Sequence, residues 1–414
     1  MQVLQQDWSQ TGDLVKEPSS EHVAQKWTPV LRNNMGKNKK REHGFDSIKT
    51  KRDPADFSLG FVLFFGSHAA LQQGHVASAL RQAYPKADLL GCSTGGQFNQ
   101  NGLADERVLS LAVKLEHASS RLVAEDIEAH ADAHACGAAL GAALAAPDLR
   151  GVLVLSDGLR VNGSALVAGL AAKVGRAVQI SGGLAGDGGA FVETLVSANA
   201  PASPGRIAAL GFYGAASIRT GSAGGWDAFG PRRIITKSEG NVLFTLDGAP
   251  ALDLYKRYLG EEGARNLPGS ALLFPLRIDD PGVAGSDVMR TILGVDHEAR
   301  SMTFAGDMPQ GWRAQLMRGT FDHLAEGAGE AARQARAPGP QAGGLCLLVS
   351  CIGRRLLMGQ RIIDEIAAAR AEIPPEDAFM GFYSYGELAP HRQSGTCQLH
   401  NQTMTVFSLH EGLG

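Results

Sequence analysis

Apolar positions come in short dense blocks separated by glycine-rich punctuation. "GFVLFFG" (60–66) is a continuous apolar run, as in a strand buried on both faces. The spacing over 71–83 predicts an amphipathic helix, and "DLLGCSTGG" (88–96) a strand that enters a glycine turn. "RVLSLAVKL" (107–115) alternates as a strand does, and the alanine-rich stretch 126–146 predicts a helix. "GVLVLSDG" (151–158) predicts a second buried strand, followed by a helix over 164–173 and a strand opening into the glycine loop of "AVQISGGLAGDGG" (177–189). Short strands are expected at 190–197, 206–213 and 216–221.

"GSAGGWDAFGPRR" (221–233) reads as a break before a second module. There the pattern predicts strands at 241–248, 271–277, 288–295, 301–305, 312–318 and 345–351. Helices are expected at 249–260, 319–335 and 354–370, and two closing strands at 378–388 and 398–409. The expected fold class is α/β, as two layered modules with mixed, largely buried sheets, over 57–225 and 232–412. Residues 1–56 are polar with basic runs (Lys37, Lys39, Lys40, Arg41) and are expected to be a disordered tail.

Composition removes several function classes. A net charge of −3 gives no global field for nucleic acid or an anionic membrane. Five cysteines, an odd number without CxxC spacing, argue against a disulfide framework or zinc ribbon. No stretch approaches the ~20 apolar residues of a membrane span, and the N-terminus lacks a signal pattern, so a cytoplasmic protein is expected.

A strand running into a glycine turn with small polar residues recurs at 91–96, 157–158, 181–189, 350–353 and 385–386. Such turns let backbone approach a ligand, which makes them a pocket signal without a reactive group. The candidate ligand-binding residues are Cys92, Ser93 and Thr94 from the first module, and Ser350, Arg354, Tyr383, Glu387, His400 and Asn401 from the second. Arg354 is expected to hold a carboxylate. "GCSTG" (91–95) also fits the nucleophile-elbow pattern, but the segment after it is a poor helix. A hydrolase using Ser93 or Cys351 is therefore the minor alternative. His130 and His134 share a helix face with Cys136 nearby in sequence, which suits an exposed helix better than a metal site.

"LLGCSTGG", "GVLVLSDG" and "SGGLAGDGGAFVETLV" (181–196) resemble the FIST N domain, and "EGNVLFTLDGAPALDLYKRYLG" (239–260), "LLVSCIGRR", "GFYSYGEL" and "LHNQTMTV" (399–406) are similar to FIST C. The resemblance implies a cytoplasmic sensory protein without convincing catalytic groups. It implies an amino-acid-like ligand and a separate partner, such as a histidine kinase or a cyclic-di-GMP signalling protein. Some stand-alone members bind haem and respond to nitric oxide; the candidate iron ligands here are His297, His391 and His400. Gln97 stands where the resemblance leads one to expect an acidic residue.

Overall fold

The computed structural model describes residues 1–8, 60–105, 107–265, 267, 269–284, 286–337, 343–391 and 394–412. Three copies of one strand arrangement build its body. In each copy two parallel strands are joined through helices: Phe61–Gly66 with Asp88–Ser93, Leu149–Ser156 with Gln179–Leu184, and Leu345–Cys351 with Ala378–Ser384. The first strand of each pair is an apolar run because both its faces are covered. An antiparallel strand flanks each pair (Val108–Lys114, Arg206–Gly214, Met404–Glu411), and a second lies outside it (Gln2–Trp8, Ala118–Asp126, Ala216–Ala223).

The copies exchange strands in a ring. After its parallel pair, each copy sends a strand into another sheet. Gln97–Asn99 of the first copy pairs with Ala378–Ser384 of the third. Gly386–Pro390 of the third pairs with Gln179–Leu184 of the second, and Val196–Ala198 of the second pairs with Asp88–Ser93 of the first. The outer strands shift sheets in the same way, since Val108–Lys114 leads to Ala118–Asp126 and Arg206–Gly214 to Ala216–Ala223. The Met1 amino group and the Glu411 carboxylate, 2.8 Å apart, join the two ends of this series.

A fourth sheet, eight-stranded and antiparallel, is inserted between Ala216–Ala223 and the helix Phe321–Ala335. It runs from Asp227–Glu239 to Arg313–Arg318 and packs the helix Ala251–Arg265 over its own core of Ile235, Leu243, Tyr255, Ile278 and Phe304. Buried Arg290 fastens this inserted sheet to the body, donating from Nη1 to the Leu399 carbonyl and from Nε to the Asp307 carbonyl, both at 3.0 Å. Burial holds its guanidinium down at about 10.

The α/β class with mixed sheets stands, but the pattern misplaces several elements. The second half of the glycine-rich break at 221–233 lies within the long strand Asp227–Glu239, which absorbs Gly230 and Pro231 in a bulge between Ala228 and Arg232. The helix expected over 126–146 begins only at Ala133, and Ala118–Asp126 is a strand whose half-buried alternation goes unread. The helix expected over 354–370 breaks at Gly359, where φ is +54°. Of the expected tail, Gln2–Trp8 is a strand in full register with Val108–Lys114; residues 9–56 lie outside the described residues. Strands from both sides of residue 225 share two of the body's sheets, because the exchange carries Ala216–Ala223 and Gln97–Asn99 into the third copy's sheet and Gly386–Pro390 into the second copy's. All five cysteines are free and buried. Among the described residues no helix is long and apolar enough to cross a membrane.

Candidate functional site

The three crossover turns meet, and they close on one another through backbone. Gly95 N–H donates to the Tyr383 carbonyl, Tyr385 N–H to Leu184, and Gly186 N–H to Ser93. A Cβ added at Gly95 would lie 2.4 Å from Ile352, and one at Gly158 2.0 Å from the Ala185 carbonyl. Here glycine serves close packing of chain on chain, so the pocket expected where the turns converge is filled.

The first-module candidates belong to this packed ring. Cys92 lies in the core and burial pushes its thiol well up. Ser93 Oγ accepts from the Leu195 N–H at 2.9 Å, and Thr94 Oγ1 donates to Gln97 Oε1 at 2.7 Å. After Ser93 the chain enters the strand Gln97–Asn99 instead of the helix that a nucleophile elbow requires. Gln97 is buried, and its Nε2 donates to the Ala104 carbonyl at 2.8 Å.

Most second-module candidates form a second closed network. Glu365 accepts from Ser350 Oγ at 2.7 Å and from Arg354 Nε at 2.6 Å. The other Arg354 nitrogens donate to the carbonyls of Gly224, Gln402 and Leu324. Fully buried and turned to these partners, Arg354 presents no fork to a ligand carboxylate, which corrects the role expected for it. Glu387 accepts from Ser384 Oγ at 2.8 Å and Thr403 Oγ1 at 2.9 Å, and burial pushes its carboxyl up to about 8. His400 pairs across the strands with Glu387; its Nε2 contacts the Ala389 carbonyl at 3.2 Å, and burial, then Arg290, hold it down at about 4. Cys351 is buried, and burial pushes its thiol far up. Tyr383 OH has no partner, and Arg355 lies 5.2 Å over its ring.

The three histidines offered for haem do not converge. His297 is exposed, its Nδ1 3.0 Å from Lys256 Nζ. The rings of His391 and His400 stack at 6.4 Å beside a cavity of about 360 Å³, but Nε2 of His391 faces Asp287 at 3.5 Å. That cavity is also lined by Arg277, Ser222 and Thr403. In each of these two rings Nε2 is engaged by a protein group. His130 Nε2 pairs with Glu125 at 3.1 Å. Among the described residues no group of three or more His, Cys, Asp or Glu is placed to hold a metal.

Two more buried polar groups without partners lie where the body faces the inserted sheet. Phe191, Cys351, Ile352, Gly353, Leu356, Tyr385 and Asn401 from the body, and Leu272, Thr291, Ile292, Leu293 and Ala305 from the insert, line a cavity of about 160 Å³ that is open to solvent at Leu356 and Leu293. Its lining is mostly apolar. Asn401, fully buried, leaves both its amide nitrogen and its oxygen without a partner, and Thr291 Oγ1, nearly buried, has none either. Each such group costs about 1–3 kcal/mol unless something meets it. Two non-glycine residues beside the cavity, Gln402 and Phe191, adopt left-handed backbone with φ +59° and +54°, strain of a kind that gathers at ligand clamps. The Phe191 ring stacks on Tyr385 at 4.5 Å and separates this cavity from a neighbour of about 400 Å³ lined by Arg160, Asn162, Asn241 and Asp307. The Asp187 carboxylate fixes that loop by accepting from the N–H groups of Phe191, Val192 and Glu193 and from Tyr385 OH. Of the residues singled out from sequence, Cys351 and Asn401 line the cavity. Thr291 and Phe191 carried no signal that would have drawn attention to them.

A third cluster also went unread. Ser408 Oγ lies 3.2 Å from His410 Nδ1, and His410 Nε2 lies 3.1 Å from the Asp377 carboxylate, beside a cavity of about 280 Å³. The series has the order of a hydrolase triad, but its setting differs. Ser408 is 1 % exposed in mid-strand, paired with Arg219 on one side and Cys346 on the other. The cavity is lined by the carboxyl ends of two helices, Ala335 and Glu372, which disfavour an oxyanion.

Residues 60–249 match the FIST N domain and residues 251–390 the FIST C domain. The two matches cover most of the chain, which belongs to the FIST family. FIST domains are associated with signal transduction and with the sensing of small ligands. No curated protein matches the chain.

Proposed function

We propose that this chain is a sensor that binds a small molecule in the cavity at Asn401 and reports its occupancy to a separate signalling protein, a histidine kinase or a cyclic-di-GMP enzyme. The observation that carries the proposal is the pair of unpartnered buried groups, Asn401 on the body and Thr291 on the inserted sheet, both among the residues that line one mostly apolar cavity. A ligand that meets both bridges the two parts. It therefore stabilises the arrangement in which they are apposed and shifts the population toward it. The insert joins the body through Gly224, Gly225 and Gly319, and φ of Gly225 is +74°, so small residues sit where rotation would be absorbed. The recognition chemistry requires no covalent step.

The test is hydrogen exchange on the whole chain with and without hits from a fragment screen. Binding should slow exchange over 288–305 and 399–403 together. Hits that protect neither segment would remove the proposal.

A further inference from the structure

We infer that a second site, distinct from the cavity at Asn401, binds a small aromatic carboxylate that carries no ammonium group. It is the cavity of about 360 Å³ where body and insert join. Arg277 and Met289 come to it from the insert, His391 and His400 from the body, and Trp226 from the segment that links the two. Arg277 is the anchor. It is partly buried and lines this cavity on one side and a cavity of about 510 Å³ on the other, so its side chain borders open space. Among the described residues its one side-chain hydrogen-bond partner is Gln315 Oε1, to which Nη2 donates at 2.6 Å. A guanidinium has five donors in a planar fork, so donors remain for a carboxylate. The acidic side chains beside it are engaged: Asp279 accepts from Arg313 Nε at 2.9 Å, and Asp287 faces His391 Nε2 at 3.5 Å. His391 first, then Arg277, draw the Asp287 carboxyl below its usual range. An ammonium group placed there would lose water beside a guanidinium, with that carboxylate already shared. The other walls suit a flat apolar body. The Trp226 indole is fixed by its Nε1 donating to the Gln402 carbonyl at 2.7 Å, and the thioethers of Met289 and Met317 make favourable contacts with an aromatic ring. Burial, then Arg290, hold His400 down at about 4, so its ring adds no charge at neutral pH. The volume is more than twice the roughly 150 Å³ of a dry cavity that holds benzene, which leaves room for one ring, a short arm and the acid.

The experiment titrates the full chain with 3-phenylpropionate, 3-phenylpropionamide, 3-cyclohexylpropionate and phenylalanine by ligand-observed NMR. Acids probe this site and uncharged fragments the cavity at Asn401, whose lining holds no charged side chain. Phenylpropionate should bind most tightly, about tenfold better than its amide, the factor a charge-assisted hydrogen bond supplies. It should lead the cyclohexyl acid by about threefold through the ring contacts. Arg277→Gln should remove the lead of acid over amide, and Arg277→Lys, which keeps the charge without the fork, should restore part of it. Trp226→Leu should bring the aromatic acid down to the cyclohexyl one, and it reads the site independently if Arg277→Gln folds poorly. Leu356→Trp, at the wall of the other cavity, should leave phenylpropionate binding unchanged, which separates this site from the one at Asn401. Absence of phenylpropionate binding at millimolar concentration, or binding that neither Arg277→Gln nor Trp226→Leu disturbs, would overturn the site. Phenylalanine or the amide binding as tightly as the acid would overturn the ligand class.

Discussion

The ring of crossover turns and the cavity at Asn401 are joined by the segment 350–353, yet they treat polar atoms in opposite ways. In the ring each turn answers another: Gly95 to Tyr383, Tyr385 to Leu184, Gly186 to Ser93. Next to it, Glu365 and Arg354 close a network in which carboxylate and guanidinium are both engaged. At the cavity the amide of Asn401 and the hydroxyl of Thr291 are left open. A buried polar side chain therefore carries two meanings in one chain. Where its atoms are satisfied internally it is architecture, and where they are not it marks a candidate place for a guest.

The largest effect that would break this contrast is at the closed network. Arg354→Met strands the Glu365 carboxylate in the core, and urea unfolding should show a loss of about 3–5 kcal/mol. A loss below 1 kcal/mol would mean that the network is not structural.

A smaller effect follows from protonation. Glu387 holds its proton up to about 8 in the fold, against 4.5 ordinarily, so the unfolded chain releases it first as pH rises. Stability thus falls from about pH 4.5 to pH 8, by at most about 1.4 kcal/mol per unit. His400, held down at about 4 against 6.5, tilts the other way, since the unfolded chain takes up the proton first as pH falls through that window. The two slopes oppose each other below pH 6.5, so the Glu387 decline stands alone between 6.5 and 8. Denaturant midpoints across that window should fall for the native chain and stay flat for Glu387→Gln.

The smallest effect has the opposite sign from the first. Asn401→Leu replaces an unmet buried amide with an apolar group of similar size, and should leave stability unchanged or raise it by about 1 kcal/mol in the same assay. A marked loss would show that Asn401 is part of the architecture after all.

Much of the body was legible from pattern. The apolar runs at 60–66, 151–158 and 345–351 are strands because parallel pairs are covered on both faces. The exchange of strands was not legible, since "AFMGFYSYGEL" and "QLHNQTMTVFSL" read as two strands but form four. Tyr385 and the segment Asn401–Thr403 carry the chain from one sheet to another. Period and hydropathy continue across those corners while the pairing partner changes, and pairing is a long-range fact. The site suffered from the same limit. Asn401 was among the candidates read from sequence, whereas Thr291 comes from the insert and meets the cavity only once the two parts are apposed. Arg354 looked like a ligand clamp because its partner Glu365 lies 11 positions away on a different helix.

The central claim, that the open polar atoms at the insert and not the closed ring hold the guest, is tested most directly by one fragment-binding screen run on three chains: native, Ser93→Ala and Asn401→Leu. Fragments that bind the native chain should bind Ser93→Ala equally and lose affinity for Asn401→Leu. Loss on Ser93→Ala with full binding to Asn401→Leu would contradict the account.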